Sequence, residues 1–131
     1  MKELIGKKIL GLRISEDQTD LAFDTDQGEI AYETYSECCS ETWFADITGV
    51  NALIGGTVSV AEVVDMVGYN VDDGRCRQEY DAAYGWKIAT NKGYADIVFR
   101  NSSNGYYGGW IGLMQNPSGF ATIAITDDWQ A

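Results

Sequence analysis

Cys38-Cys39-Ser40-Glu41-Thr42-Trp43-Phe44 is the stretch on which the reading of the fold turns. Before it lie strand-like segments separated by hairpin turns. After it the pattern is briefly helical, then returns to strands. Ser40 suits an N-cap, because its hydroxyl accepts a bond from a free backbone N–H one turn on. Glu41 would sit in the first turn, where the positive end of the helix dipole favours a carboxylate. Trp43, Phe44 and Ile47 fall at helical spacing and would form one apolar face. This predicts a helical corner starting at Ser40 and ended by Gly49. A second helical piece is expected over Val50–Ile54, before Gly55-Gly56. Trp43 and Phe44 are read as a plug for the open end of a sheet, since aromatics bring the largest apolar areas to a small core. A ligand platform at Trp43 would want a basic neighbour, and none is adjacent.

Upstream, Lys8–Ile14 reads as a first strand and Leu21–Phe23 as the centre of a second. Asp24–Gly28 is a hairpin loop, and Glu29–Tyr35 alternates polar and apolar residues as a half-buried strand does. These three strands predict an antiparallel meander. Alternation sends Glu29, Ala31, Glu33 and Tyr35 to one face and Ile30, Tyr32 and Thr34 to the other.

Downstream, Thr57–Val67 is a β-branched run that favours a strand. Gly68–Gly85 has no clear period and reads as a long excursion with one helical turn near Glu79–Ala83; loops of that length are usually functional or mobile. Trp86–Thr90, Asn91-Lys92-Gly93 and Tyr94–Arg100 give a hairpin signal. Asn101–Gly105 is a turn cluster, Tyr106–Met114 a glycine-rich strand and Phe120–Ile125 a last strand, with Trp129 tucking back onto the sheet. The chain is thus expected to be a single mainly β domain, 1–131. It would be an antiparallel curved sheet or small sandwich of about eight strands with one short helical corner.

The 131 residues suffice for a real core, and no apolar run approaches the roughly 20 residues of a membrane span. Met1–Lys8 has neither the apolar core nor the cleavage site of a signal peptide, so a cytoplasmic location is expected. Three cysteines, two of them adjacent (Cys38, Cys39, Cys76), do not make a disulfide framework. With no histidine and no Cys-x-x-Cys, a metal site is not expected, and the cysteines read as small buried apolar side chains.

The net charge is −11, and it is unevenly spread. Between Arg13 and Arg75 there is no base, while that interval holds fourteen acids. Among them Glu16, Asp17, Asp20, Asp24, Asp26, Glu29, Glu33, Asp72 and Asp73 are the candidate partner-binding surface. Such a surface repels nucleic acid, whose binding depends on neutralising phosphates, and attracts a basic partner. The plainer alternative is that it only keeps the protein soluble.

Catalysis is not expected. The absence of histidine excludes serine–histidine and cysteine–histidine nucleophiles, and no phosphate loop is present. Asp72/Asp73 and Asp127/Asp128 are adjacent pairs that a strand would split between its faces, so neither makes an acid–base dyad. No cofactor is implied. A small-ligand alternative rests on Arg75, Arg77, Arg100, Asn101, Asn104, Tyr106 and Tyr107, whose guanidinium forks and rings suit a nucleotide or sugar phosphate. Its counter-reading pairs those arginines with Asp73, Glu79 and Asp96. Tyr106–Trp110 carries large groups on both faces, so a homodimer or partner contact through this strand is expected.

Glu37–Phe44 (acid-Cys-Cys-Ser-x-x-Trp-Phe), Tyr84–Thr90 (Tyr-Gly-aromatic-x-Ile-x-Thr) and Arg100–Gly109 (Arg-Asn-Ser-Ser-Asn-Gly-Tyr-Tyr-Gly-Gly) resemble a family of small uncharacterised phage and prophage proteins, catalogued as a domain of unknown function. The resemblance covers nearly the whole chain and implies a mobile-element protein acting in a bacterial host cytoplasm. It implies no activity and no site residues. The leading expectation is an acidic binding protein that inhibits a host defence system, anti-CRISPR-like, with a DNA-mimic surface facing a nucleic-acid-handling enzyme. The alternatives are a module binding a nucleotide signal or sugar, and a phage accessory or structural interaction protein.

Overall fold

The alternation upstream of the cysteines is realised as a three-strand antiparallel meander. The computed structural model describes residues 1–36, 41–65, 80–103, 109–115, 119 and 121–130. Within it β1 (Ile9–Ser15), β2 (Asp20–Thr25) and β3 (Gly28–Ser36) pair in chain order. Leu12, Ile14, Leu21, Phe23 and Tyr32 point inward and are buried; Phe23 and Tyr32 meet edge to face at 5.9 Å between ring centroids.

The helical corner expected from Ser40 is instead a strand: Glu41–Thr48 forms β4 (Ser40 itself lies outside the described residues). Thr42, Trp43, Phe44, Ala45 and Ile47 are all buried, a near-continuous run that only an interior strand covered on both sides accommodates. Pairing with the partner strand outweighs the local capping signals.

Gly49, at φ 76°, then starts the short helix α1 (Val50–Leu53), the second helical piece the sequence indicates. The Asp128 carboxylate accepts from the Val50 N–H at 3.0 Å and serves as a cap from the other end of the chain.

The remaining strands are β5 (Val58–Asp65), β6 (Tyr80–Thr90), β7 (Gly93–Ser103), β8 (Gly109–Leu113), β9 (Ala121–Ile125) and β10 (Trp129–Gln130). Two expectations change here. The helical turn near Glu79–Ala83 is extended chain from Tyr80 onward, and Asn101–Ser103 continues β7 rather than starting a turn. In both cases the β6–β7 ladder runs unbroken from Thr90↔Gly93 out to Tyr80↔Ser103, so its cross-strand bonds extend a hairpin that the sequence marks only near its tip. Cys38, Cys39, Cys76 and residues 68–79 of the Gly68–Gly85 excursion lie outside the described residues.

The strands form two five-stranded antiparallel sheets, ordered β8-β3-β2-β1-β9 and β10-β4-β7-β6-β5. Among the described residues that is two strands more than expected: β4, in place of the helical corner, and β10, where Trp129 returns to the sheet. The inner faces share one core, to which the first sheet gives Leu12, Leu21 and Phe23 and the second Phe44, Ile47, Ile88 and Ile97. Trp129 does tuck back: β10 pairs with Ile47 and its ring packs on that core. Among the described residues no helix is long and apolar enough to cross a membrane.

Gly49 is where this arrangement tolerates least. A Cβ there would stand 2.2 Å from the Tyr94 carbonyl oxygen, on a backbone with positive φ. Gly49→Ala should therefore destabilise the fold by roughly 2–4 kcal/mol in urea denaturation. Gly11→Ala, whose Cβ would meet only Asp24 Oδ2 at 3.5 Å, should stay within about 1 kcal/mol of the parent.

Candidate functional site

The outer face of the first sheet gathers the acids of the base-free interval. Strand register sets Asp20 opposite Glu33 and Asp24 opposite Glu29, with Ala22 opposite Ala31 between the two pairs. Glu16 and Asp17 occupy the β1–β2 turn and Asp26 the β2–β3 turn. Seven of the nine sequence-predicted acids are thus brought to this sheet; Asp72 and Asp73 lie outside the described residues. Across Ile9–Ser36 the only base is Arg13.

Arg13 organises one carboxylate pair. Its guanidinium donates to both Asp24 oxygens, at 3.1 and 2.8 Å, and lies 3.2 Å from Glu29 Oε2. A third bond runs to the Ala121 carbonyl at 2.9 Å, tying β9 to the same cluster. These contacts hold the Arg13 guanidinium above its ordinary value, the hydrogen bond to Asp24 being the main cause.

The second pair has no arginine among the described residues. Asp20 is buried, faces Glu33, and its carboxyl is pushed up by desolvation first and by Asp17 and Glu33 second. Glu33 accepts from the Tyr35 hydroxyl, and the Tyr35 ring crosses Gly112, where a Cβ would stand 2.7 Å from ring atom Cε2. Asp17 is the opposite case. The Ser15 hydroxyl (2.7 Å) and the Thr19 hydroxyl (2.8 Å) both donate to it and hold its carboxyl below the usual value.

The alanines between the pairs have their own cause. β8 and β9 lie at opposite edges of the sheet, and Met114, leaving β8, donates its N–H to the Ala31 carbonyl at 2.9 Å. Its side chain packs on Ala22, Ala31 and Ala121. Small residues make room for this contact and leave a carboxylate pair on either side of it. Four residues along a strand separate the pairs by roughly 13 Å.

The small-ligand set fares differently. Arg100 is 1% exposed, its guanidinium carbon 5.0 Å from the centre of the Trp43 ring. Asn101 is buried and donates to the Thr42 hydroxyl at 3.0 Å. Arg75, Arg77, Asn104, Tyr106 and Tyr107 lie outside the described residues, as does the Trp110 ring expected at a subunit contact. Sequence reading passed over Arg13, Tyr35 and Met114; the signal for Arg13 was its position as the last base before the acidic interval. Among the described residues no three acids or cysteines stand close enough to hold a metal ion.

Residues 2–113 match the family model described as "Domain of unknown function (DUF7448)". An uncharacterised protein of Acanthamoeba polyphaga mimivirus is 31% identical over 93 residues, covering 67% of this chain and 69% of that protein. No solved structure matches the chain.

The raised Asp20 carboxyl gives a pH prediction with a definite sign. In the window between its unfolded value, about 3.9, and its higher folded value, the native state binds more protons than the unfolded one. Asp20 therefore lowers stability at neutral pH, and that penalty lifts as pH falls through the folded value. Asp20→Asn should melt above the parent at pH 7, and the gap should close below pH ~4. Thermal melts across that range check it; an Asn variant that melts lower at pH 7 would contradict it.

Proposed function

The chain belongs to DUF7448, a family defined as a domain of unknown function, and from its geometry we propose that it is a non-enzymatic binding protein whose acidic outer face docks a basic protein surface. One observation carries this reading: Asp20/Glu33 and Asp24/Glu29 stand as two cross-strand carboxylate pairs on one face, and among the described residues Arg13, at the second of them, is the base that pairs with these acids. Like charges directly opposite on a sheet are unfavourable for folding, so the arrangement costs stability that an ordinary surface would not spend.

A basic partner relieves that cost. A surface built to bind phosphates offers lysines and arginines at a spacing that paired carboxylates can meet, with long-range attraction speeding the encounter. The mimivirus relative supports a viral setting. In that setting the partner is a host protein that handles nucleic acid, such as a defence enzyme, and the acidic face occupies the groove meant for nucleic acid. The chain itself does not bind nucleic acid, because its net charge of −11 opposes it.

Capture from a host-cell lysate on the immobilised protein tests this. At low salt the parent should retain a nucleic-acid-binding protein that added double-stranded DNA displaces and that elutes as salt rises. Glu29→Lys/Glu33→Lys should retain at least about tenfold less of it. Equal retention by the double variant, or retention that DNA does not compete, would contradict the assignment.

A further inference from the structure

The outer face of the second sheet carries a different kind of surface. Tyr94 is 66% exposed and sits in register with Ala89, a short neighbour that leaves the flank of the ring open. Around it Ser59, Val60, Glu62, Lys87 and Thr90 help line a shallow cavity of about 490 Å³, within the roughly 300–1,000 Å³ of small-ligand sites. In the ladders Glu62 and Asp96 flank Lys87 on either side. Yet among the described residues Lys87 pairs with neither, and its ammonium lies 4.8 Å from the centre of the Tyr94 ring. Hydrogen-bonding capacity is thus left unspent beside an exposed aromatic ring.

The backbone under this ring is fixed. The Thr90 hydroxyl donates to the Ala52 carbonyl at 2.6 Å and accepts from the Lys92 N–H at 3.1 Å. Lys92 Nζ reaches the Ile54 carbonyl at 2.8 Å, and the Asn91 side-chain oxygen accepts from the Thr57 N–H at 2.8 Å. The hairpin tip before Tyr94 is therefore clamped to the turn after α1, which lowers the ordering cost of binding.

We propose that the β5–β6–β7 outer face, centred on Tyr94, binds a neutral carbohydrate. One pyranose ring stacks its C–H face on the phenol ring, and Glu62, Lys87 and Asp96 hydrogen-bond its hydroxyls. Three features select this ligand class. The ring is flat and accessible, as stacking needs. The cavity lining holds one acid, Glu62, and one base, Lys87, which leaves it close to neutral, unlike the first sheet's face, so no charged ligand is favoured. The flanking groups supply both donors and acceptors, which a polyhydroxyl ligand uses equally. The site shares no residue with the acidic face and stands or falls independently of it.

Calorimetric and NMR titrations of the full chain with cellohexaose, maltohexaose and chitohexaose, each to ~5 mM, test the site. At least one should bind and move the Tyr94 ring resonances. Tyr94→Ala should weaken that binding by at least about fivefold, while Leu10→Ala, an exposed apolar residue on the other sheet, should leave it unchanged. The exposed position of Tyr94 leaves the variant folded, which its melt verifies. No binding of any of the three by the folded parent, or a smaller loss in Tyr94→Ala, overturns the proposal.

Discussion

Trp43 and Phe44 are neighbours in the chain, and neither exposes any surface. Extended backbone sends adjacent side chains to opposite faces, so β4 has to be covered on both. Phe44 enters the core shared by the two sheets, paired with Phe99. Trp43 takes the opposite face, against the Arg100 guanidinium, a cation–π contact worth about 2 kcal/mol when shielded from water. This double anchorage fixes the register of β4 on β7. The β7 register then places the β6–β7 hairpin, the Gly49 approach to Tyr94 and the Tyr94 face itself. β10 closes on the other side of β4 through Ile47.

The same pair of aromatics shows where sequence was readable and where it was not. Local alternation marked β3, and turn residues such as Ser15-Glu16-Asp17 bounded β1 and β2, the latter buried along most of its length. The glycines around Val50–Ile54 marked α1 for a similar local reason. β4 lacks that alternation, since burial on both sides erases it, and the Ser40-Glu41 signals then pointed to a helix. The first half of β6 and the end of β7 were missed because they are held by one another across the hairpin. Tyr80–Ala83 and Asn101–Ser103 carry little strand character of their own. Asymmetric charge was plain in the sequence. The pairing of Asp20 with Glu33, and the role of Arg13 between Asp24 and Glu29, needed the register.

That register turns a diffuse acidic interval into two distinct environments. Arg13 compensates one pair and fastens it to β9, whereas Asp20 and Glu33 face each other with no arginine among the described residues and Asp20 is shielded from water. Met114, lying on Ala22 and Ala31, sets the division between them. The second sheet presents a counterpart around Tyr94 in which an acid and a base balance, Glu62 beside Lys87. One small sandwich thus offers two outer faces of contrasting chemistry, each built on strands whose inner residues are committed to the common core.

The central claim is that the carboxylates of β2 and β3 form the preferred docking face for a basic protein. Side-chain carboxyl carbon resonances, followed while a short oligolysine peptide is titrated into the labelled protein at low salt, report on it directly. The account predicts the largest shifts at Asp24, Glu29 and Glu33, weakening as salt is added, with Glu62, Asp127 and Asp128 nearly still. Shifts of equal size at every exposed carboxylate would contradict it, showing a surface that attracts cations everywhere and docks them nowhere.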